Sequence, residues 1–357
     1  MNISRERKGA WMDVFPMSHG KNLLFDVEFV PTGENIKLNP KLAEHVEKSW
    51  VPKAESGWVS SWIPFIREIS YKNEPNEIGD LMTFNSPSAI VELGSMKYKE
   101  IDGINDAIEN GLEFAPQQGF NPSLSVGYVT ATRDGKVLFQ RRAPDVHCPN
   151  VLHHEPTGYM TSLAFAPRTE CDNPKYAQDE RLFDVELQLG AKTRELAETF
   201  GIPPESIHYQ LMPDFLGNGH NSIEFFFSST GKTDYSEAEL RESLNDRIKK
   251  LRKEGNERQA KRLENTEFLF VPFEKLGKLI MNQGRLCKIN PVGYRPAKPE
   301  EMPLIDESLL GLIYGYADLT GESPDIDETI ARLNHEGTDI KVYNSSRGQR
   351  YNLPRQL

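Results

Sequence analysis

The strongest chemical signal in this sequence is a run of charged residues between Glu186 and Ile202. It reads ELQLGAKTRELAETFGI, and it carries carboxylates at Glu186, Glu195 and Glu198, with Arg194 directly before Glu195. On a helix, residues three apart lie on one side, so Glu195 and Glu198 can face the same surroundings. Two carboxylates held close together repel each other unless a cation lies between them. A hard divalent cation such as Mg2+ takes oxygen ligands and keeps positions open for phosphate oxygens, so this spacing allows metal-dependent phosphate chemistry.

The same spacing is also that of an ordinary solvated helix face. Glutamate is a good helix former, and Lys192 and Arg194 give the carboxylates local partners. The helix must end before Pro203 and Pro204, because two consecutive prolines cannot continue it. From the spacing alone, both interpretations stay open.

The stretch also resembles the second half of the Nudix box. That pattern runs glycine, five residues, glutamate, seven residues, Arg-Glu, an aliphatic residue, any residue, Glu-Glu, any residue, glycine and an aliphatic residue. The positions of this chain that match it are Glu186, Arg194, Glu195, Leu196, Glu198, Gly201 and Ile202. The half of the pattern that holds the Arg-Glu pair is therefore intact apart from one position.

Two positions depart from the pattern. Thr199 replaces the second glutamate of the Glu-Glu pair, and Glu180 stands where a glycine is expected before Glu186. A glycine in a suitable setting, Gly158 in PTGYMTS, lies further upstream. The polar stretch 163–182, with two prolines and little periodicity, is then interpreted as a surface insertion within the motif.

The resemblance implies both a fold and an activity. The fold is the α/β/α sandwich of Nudix proteins, an α/β (α+β) architecture with a mixed sheet between helices, at residues 122–320. The activity is metal-dependent hydrolysis of a diphosphate linkage in a nucleoside diphosphate joined to another group, which releases a nucleoside monophosphate. A weaker resemblance to the Nudix proteins that hydrolyse UDP-sugars points to a nucleotide sugar as substrate.

The resemblance also implies roles for individual residues. Glu195 and Glu198 would hold Mg2+ or Mn2+, which neutralises the bridging phosphates and activates water. Gly158 would let the backbone approach the metal or a phosphate. Glu224 is the candidate for a further metal ligand or base from outside the box. The box itself would be supported by Glu186, Arg194 and Gly201.

Thr199 bears on whether the site is catalytic. Its hydroxyl is a neutral and weaker ligand than a carboxylate, so the affinity for a second metal ion should fall unless Glu224 or Glu155 compensates. A Nudix-fold module that binds a nucleotide or a protein without cleaving it would show the same loss of box residues. Such a binding module is the alternative to the hydrolase.

A β-hairpin is predicted before Gly158. In SLSVGYVTATRDGKVLFQRRAP, apolar and small residues alternate around a tight turn at Asp134 and Gly135, and Arg141 and Arg142 close the second strand. A strand of this kind precedes the box in Nudix proteins, so the order of elements agrees with the resemblance. Arginine pairs with carboxylate and phosphate alike, so substrate binding and a strand-end ion pair both stay open.

After the box helix, the sequence IHYQLMPDFLGNGHNSIEFFFSSTG is interpreted as two strands joined by a loop at 217–219, with Glu224 in the second strand. The charged segment 232–265 is predicted to be a helical hairpin with a break at Gly255. It is interpreted as a solvated insertion, although shielding of the site and oligomerisation stay open. Residues 1–121 are then an N-terminal α+β extension, and residues 321–357 are a C-terminal helix and tail.

Composition narrows the classes of partner. Lys plus Arg number 42 and Asp plus Glu number 53, so the net charge is 42 − 53 = −11, which disfavours nucleic-acid binding. The three cysteines, Cys148, Cys171 and Cys287, are widely spaced and are interpreted as free thiols of a cytoplasmic protein. Neither a signal-peptide pattern nor a membrane-spanning run is found. The expected partner is a small nucleotide substrate, and a homodimer is an oligomeric state open to the chain.

Overall fold

The fold is taken from a computed structural model. It describes residues 11–16, 18–19, 23–24, 26–55, 60–72, 88–115, 123–143, 150–160, 185–209, 215–219, 225–286, 298–322, 325–342 and 350–352. Four sequence-based predictions fall outside these residues: the insertion at 163–182, the three cysteines, Glu224 and the side chain of Glu186.

The strands and helices alternate along most of the chain. The strands are β1 (Trp11–Pro16), β2 (Ser18–His19), β3 (Leu23–Leu24), β4 (Asp26–Asn35), β5 (Trp62–Lys72), β6 (Ser88–Lys97), β7 (Leu124–Ala131), β8 (Lys136–Arg141), β9 (Leu152–His154), β10 (Thr157–Tyr159), β11 (Ile207–Tyr209), β12 (Phe215–Gly219), β13 (Phe225–Thr233), β14 (Glu267–Pro272), β15 (Asp339–Val342) and β16 (Arg350–Asn352). The helices are α1 (Pro40–Glu55), α2 (Tyr98–Glu109), α3 (Val185–Phe200), α4 (Glu237–Lys253), α5 (Glu257–Asn265), α6 (Phe273–Leu286), α7 (Asp306–Thr320) and α8 (Ile326–Glu336).

Within the described ranges, the larger sheet has ten strands and is mixed. Its main order is β14-β8-β7-β13-β12-β1-β15, while β9 pairs with β8, β10 with β7 and β11 with β13. The pairs β7/β13 and β1/β15 are parallel, and the other pairs of this sheet are antiparallel. The predicted fold class, a combination of helices with a mixed sheet, is therefore confirmed.

Helices cover both faces of this sheet. Val126 and Tyr128 of β7 pack in one core cluster with α3 and α4, whereas Val129 and Ala131 pack in another with α6 and α7. Successive side chains of a strand point to opposite faces, so this alternation places the two helical layers on opposite sides of β7. All eight residues of β7 are buried, as expected for a strand in the middle of a covered sheet.

The predicted hairpin before Gly158 is confirmed. Its turn is closed by hydrogen bonds from the Thr132 amide to the Lys136 carbonyl (2.7 Å) and from the Gly135 amide to the Thr132 carbonyl (3.1 Å). Gly135 has φ +76°, a conformation that favours glycine. Beyond the turn, β7 and β8 diverge, and β9 and β10 pair with β8 and β7 respectively. This short β9–β10 segment carries Glu155 and Gly158 into the centre of the sheet.

The smaller sheet has the order β16-β5-β6-β4, and the helices α1 and α2 pack together beside it. Its strand β16 comes from residues 350–352, near the end of the chain, whereas β1 and β15 belong to the larger sheet. Terminal strands thus link the two sheets. The boundaries proposed at residues 121 and 320 stay predictions.

Two details of the second half qualify the sequence-based picture. The helical hairpin with a break at Gly255 is confirmed, with φ +80° at that glycine. The hairpin is not merely solvated, because Leu240 of α4 belongs to the core cluster that includes α3. The loop predicted at 217–219 is wrong, since these residues lie within β12 and pair with β1 and, at 217 and 218, with β13.

Candidate functional site

The box helix α3 ends where its sequence predicts. Gly201 adopts φ +70°, and the amide of Ile202 donates a 3.0 Å hydrogen bond to the carbonyl of Ala197. A left-handed glycine followed by this six-residue bond closes helices in the Schellman manner. Pro203 follows directly, so the chain leaves the helix at a defined place.

Contacts with β7 fix the rotation of α3 about its axis. Leu189, Leu196, Ala197 and Phe200 are buried in the core beneath the helix. The buried hydroxyls of Thr193 and Tyr128 are 2.9 Å apart, and Thr193 also donates to the carbonyl of Leu189 at 2.8 Å. With this face turned inward, three charged residues of the box, Arg194, Glu195 and Glu198, lie exposed on the opposite side.

Lys192 connects the box helix to the strand that carries Gly158. Its ammonium is 3.0 Å from Oε2 of Glu195, yet its side chain is only 12% exposed, whereas that of Glu195 is 63% exposed. A Cβ atom at Gly158 would lie 2.8 Å from Nζ of Lys192. The absence of a side chain at Gly158 therefore makes room for this lysine, which lies between the strand and the predicted metal ligand.

Glu155 is the most perturbed carboxyl group at this place. Burial raises the pKa of Glu155 to about 8, although the charges of Lys192 and Arg142 oppose that rise. The negative charge of Glu195 raises this pKa further, and Arg262 of α5 lowers it. A carboxyl group with a pKa near neutrality and several charged neighbours is typical of functional sites. We call Arg142, Glu155, Gly158, Lys192 and Glu195 the candidate site.

The two neighbouring arginines of the hairpin have different partners. Arg141 donates to Oε2 of Glu267 on β14 at 3.3 Å, which is the strand-end ion pair left open by the sequence. Nη2 of Arg141 is buried and has no hydrogen-bond partner among the described residues. Arg142 instead contacts Nδ1 of His153 at 3.4 Å and acts electrostatically on Glu155. Arg142 is therefore the arginine that belongs to the candidate site.

The sequence pointed to some of these residues and missed others. It predicted that Lys192 is a local partner of the box carboxylates, and the pair with Glu195 confirms this. Arg262, an exposed arginine of α5 whose charge acts on Glu155, was not predicted, because the sequence of a lysine- and arginine-rich helix does not indicate which cation lies near the site. Glu307 of α7, which contacts the Arg142 partner His153, was also missed, although an acidic pair at the start of an apolar helix was a usable signal.

The described residues include some of the predicted metal ligands but not all of them. Among them, no three His, Cys, Asp or Glu side chains form a group that could hold a metal ion. Glu155 and Glu195 are the acidic groups that interact at the candidate site, and Glu198 lies exposed one turn along the helix. The side chains of Glu186 and Glu224, which the resemblance brings to the same place, are not among those described.

Comparison of the chain with protein-family models and with curated proteins gave no match. Of the helices in the described part of the chain, none is both long enough and apolar enough to cross a membrane.

Proposed function

We propose that this chain is a Nudix-type hydrolase that cleaves the diphosphate linkage of a nucleoside diphosphate joined to another group, and that it uses Mg2+ or Mn2+. The observation that carries this proposal is the convergence of three separate segments at the candidate site. The box helix contributes Lys192 and Glu195, the β9–β10 segment contributes Glu155 and Gly158, and Arg142 directly follows β8.

The acidic groups of the site have the chemistry that a divalent cation requires. Glu195 and Glu198 share the exposed face of α3, and Glu155 is a further carboxylate in electrostatic contact with Glu195. The pKa of Glu155 stays high beside two nearer cations, so additional positive charge would favour its ionised form. We infer that Glu195 and Glu198 would hold the metal, with Glu155 in support in place of the carboxylate that Thr199 lacks.

A bound divalent ion would neutralise the bridging phosphates and lower the pKa of a water molecule bound to it. The residues of the chain supply the remaining functions. Arg142 and Lys192 are cations suited to bind phosphate oxygens, Arg142 through the planar fork of its guanidinium group. The carboxylate of Glu155, with a pKa near the working pH, is suited to accept a proton from the attacking water.

One observation favours the second candidate, a module that binds a nucleotide without cleaving it. The ammonium of Lys192 already lies 3.0 Å from Glu195, so it neutralises a carboxylate that the hydrolase needs for its metal. Together with Thr199 in the box, this leaves a site that is more cationic than a two-metal centre. Such a site would bind a diphosphate through charge alone.

Release of nucleoside monophosphate from a panel of nucleotide sugars tests the proposal. We expect Mg2+-dependent release by the wild type and a loss of about 100-fold or more in kcat for Glu195→Gln. Glu44→Gln is the matched control, because Glu44 is an exposed helical glutamate paired with Lys48 at 2.6 Å on α1. Metal-independent turnover, or equal rates in Glu195→Gln and the wild type, would refute the hydrolase. Binding without turnover would support the module.

A further inference from the structure

A chain of hydrogen bonds leads from the candidate site into the core. Nη1 of Arg142 is 3.4 Å from Nδ1 of His153, and Nε2 of His153 is in hydrogen-bond contact with Oε1 of Glu307. The Glu307 side chain is 2% exposed and lies in the first turn of α7. His153 thus joins Arg142, which lies near it in sequence, to Glu307, which lies 154 residues away.

The chemistry of the three groups sets the direction of this chain. The guanidinium group of Arg142 has only donors, and the carboxyl oxygen Oε1 of Glu307 can accept a hydrogen bond. His153 must then accept at Nδ1 and donate from Nε2, which selects a single neutral tautomer. Burial, followed by the charge of Arg142, lowers the pKa of His153 well below its usual value, in keeping with a neutral ring.

The inner end of the chain is held by the centre of the larger sheet. Glu307 accepts long hydrogen bonds from the hydroxyl of Ser125 on β7 (3.4 Å) and from that of Thr157 on β10 (3.5 Å). The hydroxyl oxygen of the next residue, Ser308, accepts a 2.9 Å hydrogen bond from the backbone amide of His154. The same oxygen lies 2.9 Å from Nδ1 of the His154 ring. The side chain of Glu307 is therefore held in place, and it can orient His153 and, through His153, Arg142.

We propose that Glu307 is a positioning residue that acts through His153 to orient the guanidinium group of Arg142 towards a diphosphate in the candidate site. Fixing one nitrogen of a guanidinium group sets the plane of its fork, and that plane decides whether two phosphate oxygens can be bound at once. That the bound group is a diphosphate rests on the proposed function. The hydrogen bonds that join Arg142, His153 and Glu307 do not depend on it.

The test is a double-mutant cycle with inorganic pyrophosphate as the probe and calorimetry as the readout. We expect Arg142→Ala to weaken pyrophosphate binding by about tenfold and Glu307→Gln by about threefold to tenfold, as for one charge-assisted hydrogen bond. In the Arg142→Ala background, Glu307→Gln should have little further effect, because its influence passes through the arginine. A merely structural role of Glu307 would instead weaken binding equally in both backgrounds.

The control variant is Glu300→Gln, since Glu300 is another buried carboxylate but pairs with Lys275 at 3.5 Å. It should leave pyrophosphate binding unchanged. Because Glu307→Gln changes a buried group, nitrogen NMR of His153 in the wild type gives a second readout that needs no variant. A ring protonated on Nε2 alone is expected, and a proton on Nδ1 would overturn the proposal.

The outcomes for this proposal and for the hydrolase are distinct. Pyrophosphate binding with the expected coupling, but without turnover of any nucleotide sugar, would refute the hydrolase and keep the positioning role. Turnover with no coupling between Glu307 and Arg142, or the absence of pyrophosphate binding in the wild type, would refute the positioning role.

Discussion

At the scale of single residues, the balance of charge around Glu155 distinguishes this site from the rest of an acidic chain. The net charge of the whole chain is −11, yet Glu155 has three cationic neighbours, Lys192, Arg142 and Arg262, against one anionic neighbour, Glu195. Cations gathered around one partly buried carboxyl group favour binding of a polyanion, because the anion meets positive charge in a partly desolvated place. This local reversal of sign supports a phosphate-bearing ligand for either candidate function.

Glu155 should make the stability of the protein depend on pH. Burial raises its pKa from 4.5 to about 8. Between these values the folded chain holds more protons than the unfolded chain, so the stability due to this group is complete at low pH and is lost as the pH rises through about 8. The free energy of unfolding of the wild type, compared with that of Glu155→Gln, should therefore fall between about pH 5 and pH 8.5. The total fall is at most about 1.4 kcal/mol for each unit by which folding raises the pKa of Glu155.

Urea unfolding at a series of pH values measures this difference. Glu205→Gln is a suitable control, because Glu205 is exposed just beyond the box helix. The free energy of unfolding of the Glu205→Gln variant should follow that of the wild type at every pH. Parallel curves for the wild type and Glu155→Gln would show that Glu155 ionises normally in the folded state.

Individual site residues were predictable only where the signal was local. The box spacing pointed to Glu195 and to its neighbour Lys192, since both lie on one helix. The contact of Lys192 with Gly158 was not predictable, because it requires β10 to pair with β7 and α3 to pack on the same strand. Long-range pairing of this kind leaves no mark on either segment alone.

At the scale of elements, the end of α3 determines where the box carboxylates stand. Gly201 has φ +70°, and a Cβ atom there would lie 3.2 Å from Cβ of Arg247 on α4. Gly255 has a similar φ of +80°, but no atom of the described residues lies within 4 Å of its Cβ position. Comparison of the two glycines therefore distinguishes the cost of a left-handed backbone from the cost of crowding against a neighbouring helix.

Alanine substitutions at these glycines should differ in cost. We expect Gly255→Ala to destabilise the protein by about 1 kcal/mol through the left-handed backbone alone. Gly201→Ala should cost more, by roughly another 1 kcal/mol, because α4 must also shift. Chemical unfolding of the two variants measures both values. Equal losses would indicate that the contact between the end of α3 and α4 contributes nothing.

Elements with strong local signals were predicted correctly, and one with a misleading signal was not. The turn at Gly135 and the break at Gly255 both require φ above zero, so their glycines were reliable signs. The glycines and the asparagine at 217–219 also indicated a loop, yet they lie in β12. That strand is held between β13 and β1, and pairing on both sides outweighs the weak strand propensity of its residues.

At the scale of the whole molecule, the ends of the chain complete both sheets. Strand β1 lies between β12 and β15 in the larger sheet, and β16 pairs with β5 in the smaller one. No pattern in the first residues indicated a partner some two hundred residues away, so this closure could not be predicted.

Removal of β1 should therefore damage the domain that carries the candidate site. Deletion of residues 1–16 leaves β12 and β15 without the strand that joins them, and exposed strand edges promote aggregation. We expect a lower unfolding midpoint and self-association, measured by urea unfolding and by light scattering. Deletion of residues 1–10 keeps β1 and is the control. If both deletions behave alike, the segment 122–320 is stable without the strand.

The most direct test of the central claim is the Mg2+ dependence of UMP release from UDP-glucose in the wild type, Glu195→Gln, Glu198→Gln and Glu44→Gln. The hydrolase account predicts that the wild type and Glu44→Gln share one Mg2+ dependence. Glu195→Gln and Glu198→Gln should each need about tenfold or more Mg2+ for half-maximal rate, or lose turnover altogether. Release of UMP that does not depend on Mg2+, or on either carboxylate of α3, would contradict it.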